Sequence, residues 1–150
     1  MNFSTLFFFS LVALATSYPI FHNAASSTHS LAQAKDTATT KTTSKAAANV
    51  QKAADAFAGD VATVSNSLNK LATTTDKSTI ASLAKAGFVA EMDEDQHRAV
   101  LNTAAGSAGK SANAKIVKNT PVVLKGLQAM MNTPTQASVK KNLATVENAR

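Results

Sequence analysis

A chain of 150 residues with 5% aromatic content and no Trp has room for one domain and only a thin core of small residues. It contains no cysteine, which excludes a disulfide framework and a thiol nucleophile, so stability must come from packing, binding or self-association. The net charge of +6 is unevenly spread: residues 1–90 carry +3, residues 91–98 carry −3 and residues 99–150 carry +6.

Residues 1–17 read as a secretory signal peptide. Leu6 to Ala15 form an apolar run of suitable length, and Ala13-Leu14-Ala15 and Ala15-Thr16-Ser17 both place small residues where cleavage requires them. The polar run after Phe21 is incompatible with a transmembrane helix of about 20 apolar residues. The expected location is therefore secreted, either extracellular or in a cell wall.

Residues 18–45 form a leader of Ser, Thr, Ala and Lys. Ten of the 23 residues from His22 to Ser44 are Ser or Thr, and Leu31 is the single large apolar residue among them. That composition predicts a disordered leader, with O-glycosylation as a second reading. His22 and His29 lie in it without a third ligand, so no metal is expected there. The helical domain is assigned to residues 46–150.

The strongest pattern runs from Val50 to Leu71. Val50, Ala54, Phe57, Val61, Val64, Leu68 and Leu71 alternate spacings of four and three, which puts them on one narrow stripe of a helix. After Thr73-Thr74-Thr75, Asp76 or Ser78 can cap a second helix from about Thr79 to Ala105. Its expected apolar stripe is Ile80, Leu83, Ala84, Phe88 and Met92, extended by Ala99, Val100 and Leu101, with a possible kink at Gly87. Gly106 to Ser111 read as a loop, followed by a short helical piece at residues 114–118.

Asn-Thr-Pro then occurs twice, at residues 119–121 and 132–134. Thr as N-cap with Pro in the first turn is a helix-start signal, because the cap oxygen accepts an orphan N–H and Pro has none to lose. Gln136, three residues after Thr133, would complete a capping box. Two helices are predicted, over residues 121–131 and from 134 to about 149. No segment alternates as a strand would. The fold class is all-α: a small bundle of about four helices after a signal peptide and a polar leader.

Candidate chemistry is sparse. Gly109-Lys110-Ser111 resembles the end of a phosphate loop, but the preceding residues read as helix where that motif needs a strand, and no apolar run ending in Asp follows. Glu91, Asp93, Glu94 and Asp95 with His97 lack the alternation and glycine of a calcium loop. On a helix, Glu94–Arg98 and Asp93–His97 are four apart, so a solvated face with ordinary ion pairs is expected. Nothing in the pattern supplies an apolar wall to raise one carboxyl, so paired-carboxylate catalysis is not predicted. The sequence offers no catalytic, cofactor or metal residues, and no enzyme is expected.

Six lysines in the last third could neutralise phosphates, but no aromatic residue lies among them and Arg is nearly absent, which argues against nucleic acid. An anionic polymer or lipid headgroup fits better. Leu127, Met130 and Met131 form a candidate apolar binding face, since Met adapts to varied apolar partners. Ordinary core packing is the competing reading of these three residues.

The stretch Lys118-Asn119-Thr120-Pro121-Val122-Val123-Leu124-Lys125-Gly126-Leu127, within Ala-rich helices in a cysteine-free exported chain, resembles small secreted proteins of filamentous fungi. The nearest family is that of hydrophobic surface-binding proteins and cell-wall galactomannoproteins. The resemblance implies a helical, non-enzymatic protein that holds apolar surfaces or lipids, with no catalytic residues to carry over. The Gly-containing segment from Ala105 to Asn113 departs from that family's long continuous helices. Two functions are expected from the whole: binding of lipid or a hydrophobic or anionic surface, or action as an effector on a host protein. Self-association is a further possibility.

Overall fold

A computed structural model describes residues 33–150, and the signal-peptide reading of residues 1–17 lies outside them, as do His22 and His29. Among the described residues all regular structure is helical. Four α-helices follow in order: α1 (Gln33–Leu71), α2 (Lys77–Ala105), α3 (Lys110–Asn132) and α4 (Gln136–Ala149), with a 3-10 turn, Gly106–Gly109, between α2 and α3. The chain is an all-α bundle, as its pattern predicts.

Successive helices pack antiparallel. Residue 60 of α1 meets residue 97 of α2, while Ser67 approaches Gly87, so numbers fall along one helix as they rise along the other. Arg98 meets Asn113 and Gly87 meets Leu127 in the same sense between α2 and α3. The 14-residue α4 packs back on α3 and also touches α1.

The α1 stripe is buried as expected: Ala54, Phe57, Val64, Leu68 and Leu71 are in the core, and Val50 and Val61 pack at its margin. The helix begins at Gln33, so residues 33–45, expected to be disordered, have helical backbone. That stretch contains neither Gly nor Pro, and α1 runs through it without a stop signal. Its C-terminus closes through bonds from the Ala72 and Thr74 N–H groups to the Leu68 and Lys70 carbonyls.

Asp76 caps α2. Its carboxylate accepts from the Thr79 N–H at 2.7 Å and from the Ser78 and Thr79 hydroxyls, and these bonds to the charged form hold its pKa down at about 2. The helix continues through Gly87 without a break. A Cβ there would lie 3.2 Å from Leu127 Cδ2 and 3.4 Å from Ser67 Cβ, so this glycine lets three helices approach closely. The helix stops at Gly106, whose φ of +56° suits glycine and whose N–H bonds the Asn102 carbonyl.

The two Asn-Thr-Pro tripeptides behave differently from each other and from the prediction. Pro121 sits inside α3, which is one continuous helix and not two pieces. Thr120 does not cap; its hydroxyl donates back to the Ile116 carbonyl at 3.0 Å. At the second copy the cap of α4 is Thr135, two residues later than expected, with its hydroxyl accepting from the Ser138 N–H. Gln136 forms no capping box, because its amide donates to the Thr74 carbonyl at the α1–α2 turn.

The core divides into two clusters. At one end, four helices enclose Val64, Leu68 and Leu71 of α1, Ile80, Ala84 and Ala90 of α2, Val123, Leu127 and Met130 of α3, and Val139 and Val146 of α4. At the other end, beyond the reach of α4, three helices enclose only Ala53, Ala54, Phe57 and Leu101, with Val50, Val61, Ala112 and Ile116 around them.

Candidate functional site

Between the two apolar clusters lies a layer of charge. Continuing the four-three spacing along α2 from Ile80 gives residues 84, 87, 91, 94, 98 and 101. These are the buried positions of that helix, together with Ala90, and three of them are Glu91, Glu94 and Arg98. The acidic segment is therefore not a solvated face. Glu91 and Glu94 are each 4% exposed, whereas Met92 and Val100, expected in the stripe, are 49% and 41% exposed.

Arg150, immediately after α4, answers both carboxylates. Its guanidinium contacts Glu91 Oε2 through one terminal nitrogen and Glu94 Oε1 at 3.1 Å through the other. All three side chains are about one-twentieth exposed. One cation thus serves two buried acids. Burial pushes both carboxyls upward, Arg150 pulls them back, and burial prevails. Glu94 reaches about 7, helped by the negative charges of Glu91 and Asp60.

Asp60 of α1 borders the same layer. Its Oδ2 is shielded from water and makes no hydrogen bond, with His97 Nε2 at 3.6 Å. Burial and Asp93 raise its pKa, while His97 acts in the opposite direction. The pairs expected four apart on α2 do not form: His97 turns to Asp60 and not Asp93. Arg98 binds Asp95 at 2.8–2.9 Å, and Asn113 of α3, and not Glu94. The apolar wall that the sequence did not reveal does exist, because the bundle itself supplies it.

This arrangement suits holding helices together more than proton transfer to a substrate, since the Glu91 and Glu94 oxygens face a guanidinium and are covered. Among the described residues no group of three His, Asp or Glu side chains is placed to hold a metal ion. Gly109 and Lys110 sit at a helix-to-helix turn, following α2 and not a strand.

The candidate apolar face lies in the core. Leu127 and Met130 are fully buried, Leu127 against Gly87 of α2, and Met131 packs against the same cluster. Around them, Val146 Cγ2 would lie 2.2 Å from a Cβ on Gly126, so only glycine admits α4 at its present distance. The outer side of α3 is different in kind. Lys110, Lys118 and Lys125 are exposed there, α3 contains no acidic residue, and Val117 and Val122 stand exposed among the lysines.

The chain matches no protein-family profile, no curated protein and no solved structure.

Proposed function

We propose that the protein is a secreted, non-enzymatic helical bundle that binds lipid: the basic outer side of α3 meets an anionic headgroup surface, and the core under α4 accepts an apolar chain. The supporting observation is α3 itself, which is basic and partly apolar outside and carries Leu127, Met130 and Met131 inside. Lysines attract an anionic surface, exposed valines favour its apolar boundary, and methionines adapt to chains of varied shape. α4 packs on α3 through Val139 and Val146 and is also tied by polar contacts. Besides Arg150, α4 is tied by Gln136 to the Thr74 carbonyl and by the Ser138 hydroxyl to the Ala129 carbonyl at 3.3 Å. Among the described residues no helix is long and apolar enough to cross a membrane.

Vesicle co-sedimentation tests the reading. Binding is expected to phosphatidylglycerol-containing vesicles and to be weaker to phosphatidylcholine alone, with the double variant Lys118→Glu, Lys125→Glu losing most of it. Displacement of a fluorescent fatty acid reports the inner site. Null results in both assays would end the proposal.

A second reading, action on a host protein, is favoured by a different face. Val89, Met92 and Val100 are 40–50% exposed along the outer side of α2, where nothing in the chain among the described residues covers them. Met92→Lys would then abolish a response of host tissue to the infiltrated protein while leaving vesicle binding intact; no host response to the parent protein would remove this reading.

A further inference from the structure

The charge layer has a feature that simple structural pairing does not need: too few cations. Glu91 and Glu94 are enclosed with Arg150 and the partly exposed Asp60 borders them, while among the described residues the other buried cation of the layer, Arg98, is engaged by Asp95 and Asn113. With every carboxyl ionised the layer is overcharged. One proton shared by Glu91 and Glu94 lets a single guanidinium balance that pair. The groups facing the pair are known on each side. α1 brings Asp60, and α2 brings Asp93, Asp95, His97 and Arg98. α3 carries Lys115 and Lys118 on exposed positions, and α4 has Glu147, also exposed, ahead of Arg150.

Arg150 pins the far end of α4 across to α2, and beyond that contact α4 is held on α3 chiefly by Val139, Leu143 and Val146. We propose that Arg150 with Glu91 and Glu94 forms a proton-dependent latch: mild acid holds α4 closed on α3, and rising pH releases it. The direction follows from the competition within the layer. Burial acts on the two carboxyls more strongly than Arg150 does, so the closed form takes up a proton that a hydrated, open form gives away. The inference rests on the proposed lipid-binding reading, because it states what governs access to the inner face of α3.

The test uses the full chain without lipid, and the absence of cysteine makes labelling simple. Spin labels at Thr145→Cys on α4 and Lys85→Cys on α2, both exposed positions, report the α4–α2 distance by double electron–electron resonance. A single short distance is expected at about pH 5.5, and a longer component about tenfold more populated at about pH 8. Glu94→Gln, which cannot ionise, should keep the short distance at both, and circular dichroism should show unchanged helix content throughout. Identical distance distributions at the two pH values, or an opening that persists in Glu94→Gln, would overturn the latch. Failure of vesicle and fatty-acid binding with a normal pH response would instead remove the lipid reading alone.

Discussion

The two ends of the bundle share three helices yet are built to different standards. At the four-helix end, Leu68, Leu71, Ile80, Leu127 and Met130 meet Val139 and Val146, and aliphatic side chains fill the interior. At the three-helix end, Phe57 and Leu101 are the large buried side chains, set among alanines. The difference is the presence of α4, and the charged layer falls where α4 stops. A fourth helix lets aliphatic residues close on one another. Where it ends, Arg150 fills the fourth position, and the residues opposite it are acids. Stability should therefore be concentrated at one end, with the other end fraying first.

The sharpest way to break this comparison is to remove the largest side chain of the weaker end. Phe57→Ala should cost about 3–5 kcal/mol. Hydrogen exchange should show lost protection in the flanking parts of α1 and α2 while the four-helix end stays protected; uniform loss would mean the ends unfold as one. Leu127→Ala, at the heart of the stronger end, should cost about 2–5 kcal/mol and lower protection everywhere, including α4.

Two glycines sharpen the point. Gly126→Ala puts a methyl group onto Val146 and should cost about 1–3 kcal/mol by displacing α4. Gly59→Ala meets nothing within 4 Å on an exposed turn of α1 and should stabilise by up to about 1 kcal/mol in thermal denaturation. Equal effects from the two would deny that α4 sits closely on α3.

The pH dependence tests the charged layer between the two ends. Glu94 has a folded pKa of about 7 against an ordinary 4.5, so the folded state binds the extra proton in between. Its contribution is fully present below about pH 4.5 and is lost as pH rises to about 7, so denaturant titrations should show stability falling across that range. Glu94→Gln should flatten that slope. Asp76 works in the opposite direction: held at about 2, its cap is intact above its ordinary 3.8 and is lost as pH falls towards 2. Asp76→Asn should remove the acid-side loss and leave the neutral side unchanged.

Much of the fold was legible. The α1 stripe, the Asp76 cap and the all-helical class follow from spacing and capping chemistry that operate within a few residues. The buried acids were legible in principle too, because Glu91, Glu94 and Arg98 continue the four-three spacing from Ile80. Ranking residues by hydrophobicity instead assigned Met92 and Val100 to the core and sent the acids to solvent. The spacing was the better guide, since helix geometry places a residue on a face whatever its chemistry. The second Asn-Thr-Pro shows the opposite limit: its local signal was overridden when Gln136 found the Thr74 carbonyl, 62 residues away.

Sequence alone determined that the chain is helical, where α1 and α2 divide, and which α1 residues face inward, because backbone hydrogen bonding and side-chain period are local. Tertiary structure decided that Pro121 lies within a continuous helix, that Leu127 and Met130 lie in the four-helix core, and that Arg150 closes on Glu91 and Glu94. Those outcomes depend on which groups meet across tens of residues, and on how far burial outweighs a neighbouring charge. Such quantities exist only once the helices have packed.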